Sequence, residues 1–131
     1  MKLPNKCHYD GSVIVKNDTV YMDGKGSMRF PDSSTYSGYW REGRMHGKGT
    51  YRWNNVEGTK FDGNYENGLK EGYGKYYINE NKYLQGEWKE GKKNGRFKVI
   101  EKIQNREEEI YECFFENDQR KQMSYHPSQI N

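Results

Sequence analysis

Polar and apolar residues alternate with a period of two along most of the chain, and glycines interrupt the alternation at regular intervals. From Tyr36 onward, Tyr36, Gly38 and Trp40 fall on one side of an extended strand and Ser37 and Tyr39 on the other. Glu42-Gly43-Arg44-Met45 reads as a turn, with Gly43 the residue that needs a positive φ. Gly47 and Gly49 then enter a returning strand in which Tyr51 and Trp53 share a face, and Asn54-Asn55 turns the chain again. A helix is disfavoured here, because each interior glycine would cost it about 1 kcal/mol. Glycine also weakens a strand unless something must approach the backbone closely. The repeated glycines are therefore expected to let an aromatic ring from the neighbouring unit lie flat on the main chain.

The unit recurs. Tyr36 to Gly43 is echoed by Phe61 to Gly68 and by Leu84 to Gly91, at spacings of 25 and 23 residues. Each copy is followed by a second glycine cluster: His46-Gly47-Lys48-Gly49, Glu71-Gly72-Tyr73-Gly74 and Asn94-Gly95-Arg96-Phe97. Upstream, Tyr9-Asp10-Gly11-Ser12-Val13 and Asp23-Gly24-Lys25-Gly26 form a weaker copy with a longer middle. Downstream, Tyr111 to Asp118 keeps the aromatics and loses both glycines. Degenerate end copies suit a stack, whose ends must be capped rather than extended. The expected organisation is an N-terminal arm (1–8), a repeat array (9–118) and an extended C-terminal arm (119–131). Within the array the clear units are 36–60, 61–83 and 84–97, and the degenerate copies are 9–35 and 111–118.

This pattern resembles the MORN (membrane occupation and recognition nexus) repeat family, whose unit runs approximately Y-x-G-x-W-x-x-G-x-x-H-G-x-G. Tyr36 to Gly49 matches every specified position. Phe61 to Gly74 matches with Phe, Tyr and Glu in place of Tyr, Trp and His. Leu84 to Phe97 keeps Gly86, Trp88, Gly91 and Gly95 but lacks the His and the last Gly. The resemblance is clear over 23–97 and fainter over 9–125. It implies an all-β fold: an elongated, single-layer, twisted antiparallel sheet of tandem hairpins. It also implies an aromatic groove that holds a helix or an extended segment of a protein partner. The family recurs in cytoskeletal and ciliary scaffolds, at membrane junctions and in regulatory parts of larger enzymes, and lipid binding has been proposed for some members.

The end of the array allows two readings. Tyr111, Cys113 and Phe115 share a face at strand period, and Gln104 to Glu109 reads as a charged loop. A capping β-hairpin is the preferred expectation. The alternative is a short helix over Asn105 to Phe115, docked on a groove.

Composition narrows the function classes. With 131 residues there is room for one domain and none for a catalytic domain beside the repeats. The 31% hydrophobic content approaches that of disordered chains, but 15% aromatic content and 15 spaced glycines point to a thin sheet with tight turns. Twenty-two basic residues against 19 acidic ones give a net charge of +3, without the clustered basic stripe of a nucleic-acid binder. Cys7 and Cys113 are expected to be reduced thiols of an intracellular protein. No apolar run approaches the roughly 20 residues of a membrane span, and the N-terminus carries no signal-peptide or myristoylation pattern.

Candidate chemistry is sparse. His8, His46 and His126 lack metal-ligand spacing with either cysteine, and no cofactor, phosphate loop or nucleophile motif is present in the sequence. Gly24-Lys25-Gly26 and Gly47-Lys48-Gly49 look like phosphate cradles, but their recurrence at the repeat period marks them as structural. His46 is expected to hydrogen-bond a turn. The expected partner groove is lined by Tyr36, Trp40, Tyr51, Trp53, Phe61, Tyr65, Tyr76, Trp88, Tyr111 and Phe115. A large uncovered aromatic face normally marks an interaction site. The opposite face is mostly polar, with Tyr39, Tyr77, Ile100 and Phe114 as departures. Arg41, Arg44, Lys48, Lys89, Lys92, Lys93 and Arg96 form a candidate edge for anionic lipid or an acidic partner, although glutamates alternate with them.

The expected function is a non-enzymatic scaffold that binds proteins within a larger complex, with a cytoskeletal or ciliary axonemal complex as first choice. The expected location is the cytoplasm, cytoskeleton or cilium. The alternatives are a peripheral membrane adaptor working through the basic edge and an accessory subunit of an organellar complex such as a mitochondrial one. Neither nucleic acid nor a small-molecule substrate is expected as a partner.

Overall fold

Seven two-residue turns join strands of the described chain, and six of them are alike, Glu80-Asn81 being the exception: Asn17-Asp18, Glu42-Gly43, Asn67-Gly68, Glu90-Gly91, Gln104-Asn105 and Asn117-Asp118. Both central residues of each of these six have positive φ, between 45° and 87°. That is the hairpin turn whose twist matches the twist of the strands it joins, and Asn, Asp and Gly adopt it at least cost.

The computed structural model describes residues 1–121. Their strands are β1 (His8–Lys16), β2 (Thr19–Arg29), β3 (Thr35–Arg41), β4 (Arg44–Arg52), β5 (Lys60–Glu66) and β6 (Leu69–Asn79). They continue as β7 (Lys82–Lys89), β8 (Lys92–Lys93), β9 (Gly95–Ile103), β10 (Arg106–Glu116) and β11 (Gln119–Lys121). Neighbours in sequence pair antiparallel in one open sheet, with β9 following β7 and the short β8 pairing with β7 beside it. The fold is the expected all-β, single-layer array of hairpins.

The chain ends differ in detail from the sequence reading. The segment Gln104 to Glu109, read as a loop, contains only the two-residue turn Gln104-Asn105 before β10 begins. No helix covers Asn105 to Phe115; β9 and β10 form the capping hairpin. The glutamates belong in a strand because lysines stand beside them: Glu107 pairs with Lys102, and Lys98 Nζ lies 3.7 Å from Glu109. Gln119 to Lys121 pair with β10, and the remainder of the expected C-terminal arm, 122–131, lies outside the described residues. At the other end, Lys2 bridges His8, and Met1 exchanges hydrogen bonds with the Tyr9 backbone.

Register explains the glycines. Gly11, Gly26, Gly38, Gly49, Gly63, Gly74 and Gly86 stand side by side across seven strands. Aromatic rings lie on this bare row: Tyr9 over Gly11 and Gly26, Tyr36 over Gly38 and Gly49, Phe61 over Gly63 and Gly74, Phe97 over Gly86. Each ring comes from the glycines' own unit rather than from the neighbouring one expected, because its strand and the strand paired with it bring the glycines beneath it. A Cβ at Gly63 would stand 2.7 Å from Phe61 Cζ, and one at Gly86 2.6 Å from the Phe97 ring. The rings join Trp40, Tyr65, Trp88 and Phe115 in a continuous zigzag from Tyr9 to Phe115, with centroids 4.8–5.6 Å apart and planes nearly perpendicular. Edge-to-face pairs contribute roughly 0.5–1.5 kcal/mol each beyond the area they bury. This ladder is the core of a sheet that has no second layer among the described residues.

The other glycine of each cluster has a different task. Gly24, Gly47, Gly72 and Gly95 have φ between 80° and 99° and sit where the returning strand bulges against its partner. The bulge leaves a carbonyl of the preceding strand without its ladder partner. Tyr9 Oη donates to Ser12 O at 2.6 Å, Tyr36 Oη to Tyr39 O at 2.9 Å, and Asn94 N to Glu87 O at 3.0 Å.

Candidate functional site

The bulges also lock one hairpin to the next. Gly43 N donates to Met22 O, Gly68 N to Met45 O and Gly91 N to Lys70 O, each at 2.8 Å, and Asp118 N to Lys93 O at 3.0 Å. A second set of bonds runs beside these. Glu42 N donates to Asp23 Oδ2 at 3.0 Å, Asn67 N to His46 Nδ1 at 3.5 Å and Glu90 N to Glu71 Oε1 at 3.2 Å. The expected turn contact of His46 is thus to the following hairpin, and Asp23 and Glu71 make the same contact in neighbouring units. Both sets of bonds fix the residues between turn and bulge, namely Met22, Met45, Lys70 and Lys93, as a row across the aromatic face.

The ten expected groove residues divide by depth. Tyr36, Trp40, Phe61, Tyr65 and Trp88 are buried in the ring ladder. Tyr51, Trp53, Tyr76 and Phe115 are half-buried, and Tyr111 is exposed. Tyr51, Trp53 and Tyr76 form a second, outer row with Phe30, at centroid separations of 4.7–5.7 Å. Ser34 holds that row from behind: its hydroxyl lies 2.9 Å from Tyr51 Oη and donates to Asp32 Oδ1.

Two depressions open beside the outer row. One, of about 350 Å³, is lined by Leu3, Cys7, Met22, Phe30, Trp40 and Met45 among others. The other, of about 280 Å³, is lined by Met45, Tyr51, Trp53, Tyr65, Leu69 and Lys70 together with Gly68 and Gly91. Met45 and Gly68 line both, so the two depressions adjoin, and together they make the candidate cleft. Sequence reasoning missed Phe30, Met22, Met45 and Lys70. The signal for Met22, Met45 and Lys70 was the column formed by the residue before Asp23, His46 and Glu71 when the units are aligned; Phe30 falls outside that column.

Electrostatics follow the burial. Desolvation pushes the Tyr36 phenol up to about 12, and a backbone hydrogen bond with Tyr39 acts in the opposite direction as the smaller influence. Burial also raises Tyr65, helped by Tyr36 and Tyr51. Lys70 is lowered by desolvation, with Asp118 and Lys93 as opposed smaller influences. Its Nζ stands 5.1 Å from the Phe61 ring centre and 5.6 Å from that of Trp53.

The basic residues do not form one continuous edge. Arg41 and Arg44 flank the Glu42-Gly43 turn, and Lys89, Lys92 and Lys93 flank or follow the Glu90-Gly91 turn. Between these, the Asn67-Gly68 turn is flanked by Glu66 and Leu69. Lys48 pairs across to Asn64 on the opposite face, and Arg96 pairs with Glu112 at 3.3 Å. Lys16, Arg41 and Arg44 line a polar cleft of about 610 Å³ with Glu42, which forms an ion pair with Lys16.

Of the departures on the polar face, Tyr77 stacks on Tyr83 at 4.8 Å, and Tyr83 Oη donates to Glu107 Oε2 at 2.6 Å. Tyr83 is buried, although it points away from the main ladder. Among the described residues no group of three or more His, Cys, Asp or Glu is arranged to hold a metal ion.

The repeat geometry agrees with comparisons to known proteins. The family model described as "MORN repeat" matches residues 21–35, 36–55, 61–81 and 85–96, more than half of the chain. Alsin from Rattus norvegicus and alsin from Homo sapiens are each 40% identical to this chain over 68 residues. That match spans 48% of this chain and only 4% of the alsin chain. Repeats of this kind are non-enzymatic modules that generally mediate protein or lipid interactions. The chain belongs to the MORN repeat family.

Proposed function

We propose that this protein is a scaffold subunit that holds a helix or an extended segment of a protein partner in the cleft along its outer aromatic row. One observation carries the reading. Phe30, Tyr51, Trp53 and Tyr76 lie half-exposed in a row beside two adjoining depressions, on a face that no second layer covers among the described residues. The buried ladder beneath supplies stiffness, and the outer row supplies accessible rings of the kind that dominate interface energetics. A rigid array of this sort suits a structural subunit of a larger assembly. We favour a cytoskeletal or ciliary axonemal one, where the family recurs, and an accessory role in an organellar complex is the variant of the same reading.

Lipid attachment is the competing class. Its support is the cleft lined by Lys16, Arg41 and Arg44, in which Glu42 offsets part of the charge. The two readings separate in one experiment. The tagged protein is recovered from its native cell beside a Tyr51→Ala/Trp53→Ala variant, whose sites are half-exposed and whose folding is checked by circular dichroism. A defined set of proteins that accompanies the first and is missing from the second supports the scaffold. If both forms instead sediment equally with anionic vesicles and no protein is enriched, the scaffold reading fails and the Arg41–Arg44 edge becomes the site.

A further inference from the structure

The row Met22, Met45, Lys70, Lys93 changes character halfway along. Its four members occupy the same place in successive hairpins, and each gives its carbonyl to the following turn, so they are held at one pitch. Met45, Lys70 and Lys93 stand opposite Trp40, Tyr65 and Trp88, on the aromatic face. The first half is apolar: Met22 and Met45 line the larger of the two depressions with Leu3, Phe30 and Trp40. The second half is cationic and set on rings: Lys70 lies over Trp53 and Phe61, and Lys93 Nζ is 4.8 Å from the Phe115 ring centre.

The two lysines differ in what already neutralises them. Lys93 has Asp118 at 3.8 Å. Lys70 has no carboxylate within ion-pair distance among the described residues, while half-burial already costs its charged form. A desolvated, ring-stacked cation beside a cleft is complementary to an anion brought by whatever enters. Adjacent hairpins repeat every two strands, which separates Lys70 and Lys93 by roughly 10 Å. That spacing fits acidic side chains three residues apart in an extended segment or about seven apart on a helix.

The geometry points to a partner segment that is apolar at one end and acidic at the other, its large apolar side chains against Met22, Met45 and Phe30 and its carboxylates against Lys70 and Lys93. This rests on the cleft being the partner site and specifies what the cleft selects. Met supplies the adaptable half, which accepts different apolar shapes. The lysines supply direction, because a segment entering in reverse would set its carboxylates against apolar walls and leave Lys70 unpaired.

The test uses the full chain and a displayed library of random 12-residue peptides. Enriched peptides should combine large apolar residues at one end with Asp or Glu at the other. Their resynthesised forms should bind roughly tenfold more weakly to Lys70→Gln, which keeps the stacked stem and loses the charge. They should fail on Tyr51→Ala/Trp53→Ala, and selection on Lys70→Glu should shift toward basic peptides, which no purely structural role of Lys70 would produce. Peptides that depend on Trp53 but carry no acidic excess would overturn this inference and leave the cleft reading standing. Peptides indifferent to Trp53, or no enrichment, would overturn both. If a synthetic copy of 122–131 displaces the selected peptides, the cleft belongs to the chain's own end and the external segment is ruled out.

Discussion

The hydroxyl of Tyr36 donates to the carbonyl of Tyr39, three residues along the same strand, at 2.9 Å. That carbonyl lies opposite the bulge at Gly47, where the ladder cannot serve it. The same relation joins Tyr9 to Ser12, whereas Phe61 brings no hydroxyl to the corresponding carbonyl of Asn64. Tyr36→Phe should therefore cost about 1–3 kcal/mol, the penalty for leaving a shielded carbonyl unpaired. Phe61→Tyr should gain about 0.5–1.5 kcal/mol by adding the missing bond. Urea denaturation of both variants reads the two signs.

The two glycines of each cluster should fail differently. Gly74→Ala sets a methyl against the Phe61 ring, 2.6 Å from Cζ, and must displace the ladder. Overpacking of this kind should cost about 3 kcal/mol, at the upper end of its usual range. Gly72→Ala meets no atom within 4 Å and bears only the strain of φ at +80°, about 1–2 kcal/mol. Denaturation midpoints give the order, and near-ultraviolet circular dichroism should change only for Gly74→Ala.

Glu71 accepts from the Glu90 backbone N–H. Glu71→Gln keeps an acceptor there and should be nearly neutral, whereas Glu71→Ala should cost about 1 kcal/mol. The change should be local, with faster hydrogen exchange at the Glu90 amide and unchanged exchange in β1 and β2.

Alkali should unfold the array. The native Tyr36 phenol, raised from 10.0 to about 12 by burial, holds its proton where the unfolded chain has released it, and Tyr65 and Tyr83 are raised in the same direction. A group that binds its proton more tightly in the native state contributes stability that is complete below pH 10. That contribution is lost as pH climbs from 10 through 12. Thermal melting between pH 8 and 12, followed beside tyrosinate absorbance, should show stability falling above pH 10. Tyr36→Phe should lessen the slope.

Much of this architecture is legible in the residues because strand periodicity and turn glycines are local signals. Tyr36-x-Gly38-x-Trp40 announces a strand face, and Glu42-Gly43 a hairpin. Depth is not local. Tyr36 and Tyr51 stand opposite each other on one face, yet one is fully buried and the other half-exposed, because Tyr36 lies over two glycines and beneath Tyr65 and Trp40. Gly47 and Gly49 look alike in sequence, and only the bulge gives them different tasks. Lys70 reads as one more surface charge until the fold sets it over Trp53 and Phe61. Tyr83 is hidden by a contact with Glu107, 24 residues away, that no repeat pattern encodes.

Site-specific photocrosslinking in the native cell tests the central claim most directly. A photoreactive phenylalanine analogue replaces Trp53 in the outer aromatic row in one form and Tyr39 on the polar face in another, both accessible without disturbing the buried ladder. The expected result is a discrete protein adduct from position 53 and none from position 39. Equal adducts from both positions, adducts from position 39 alone, or lipid as the only species captured at position 53 would contradict the assignment of the cleft as a protein-binding site.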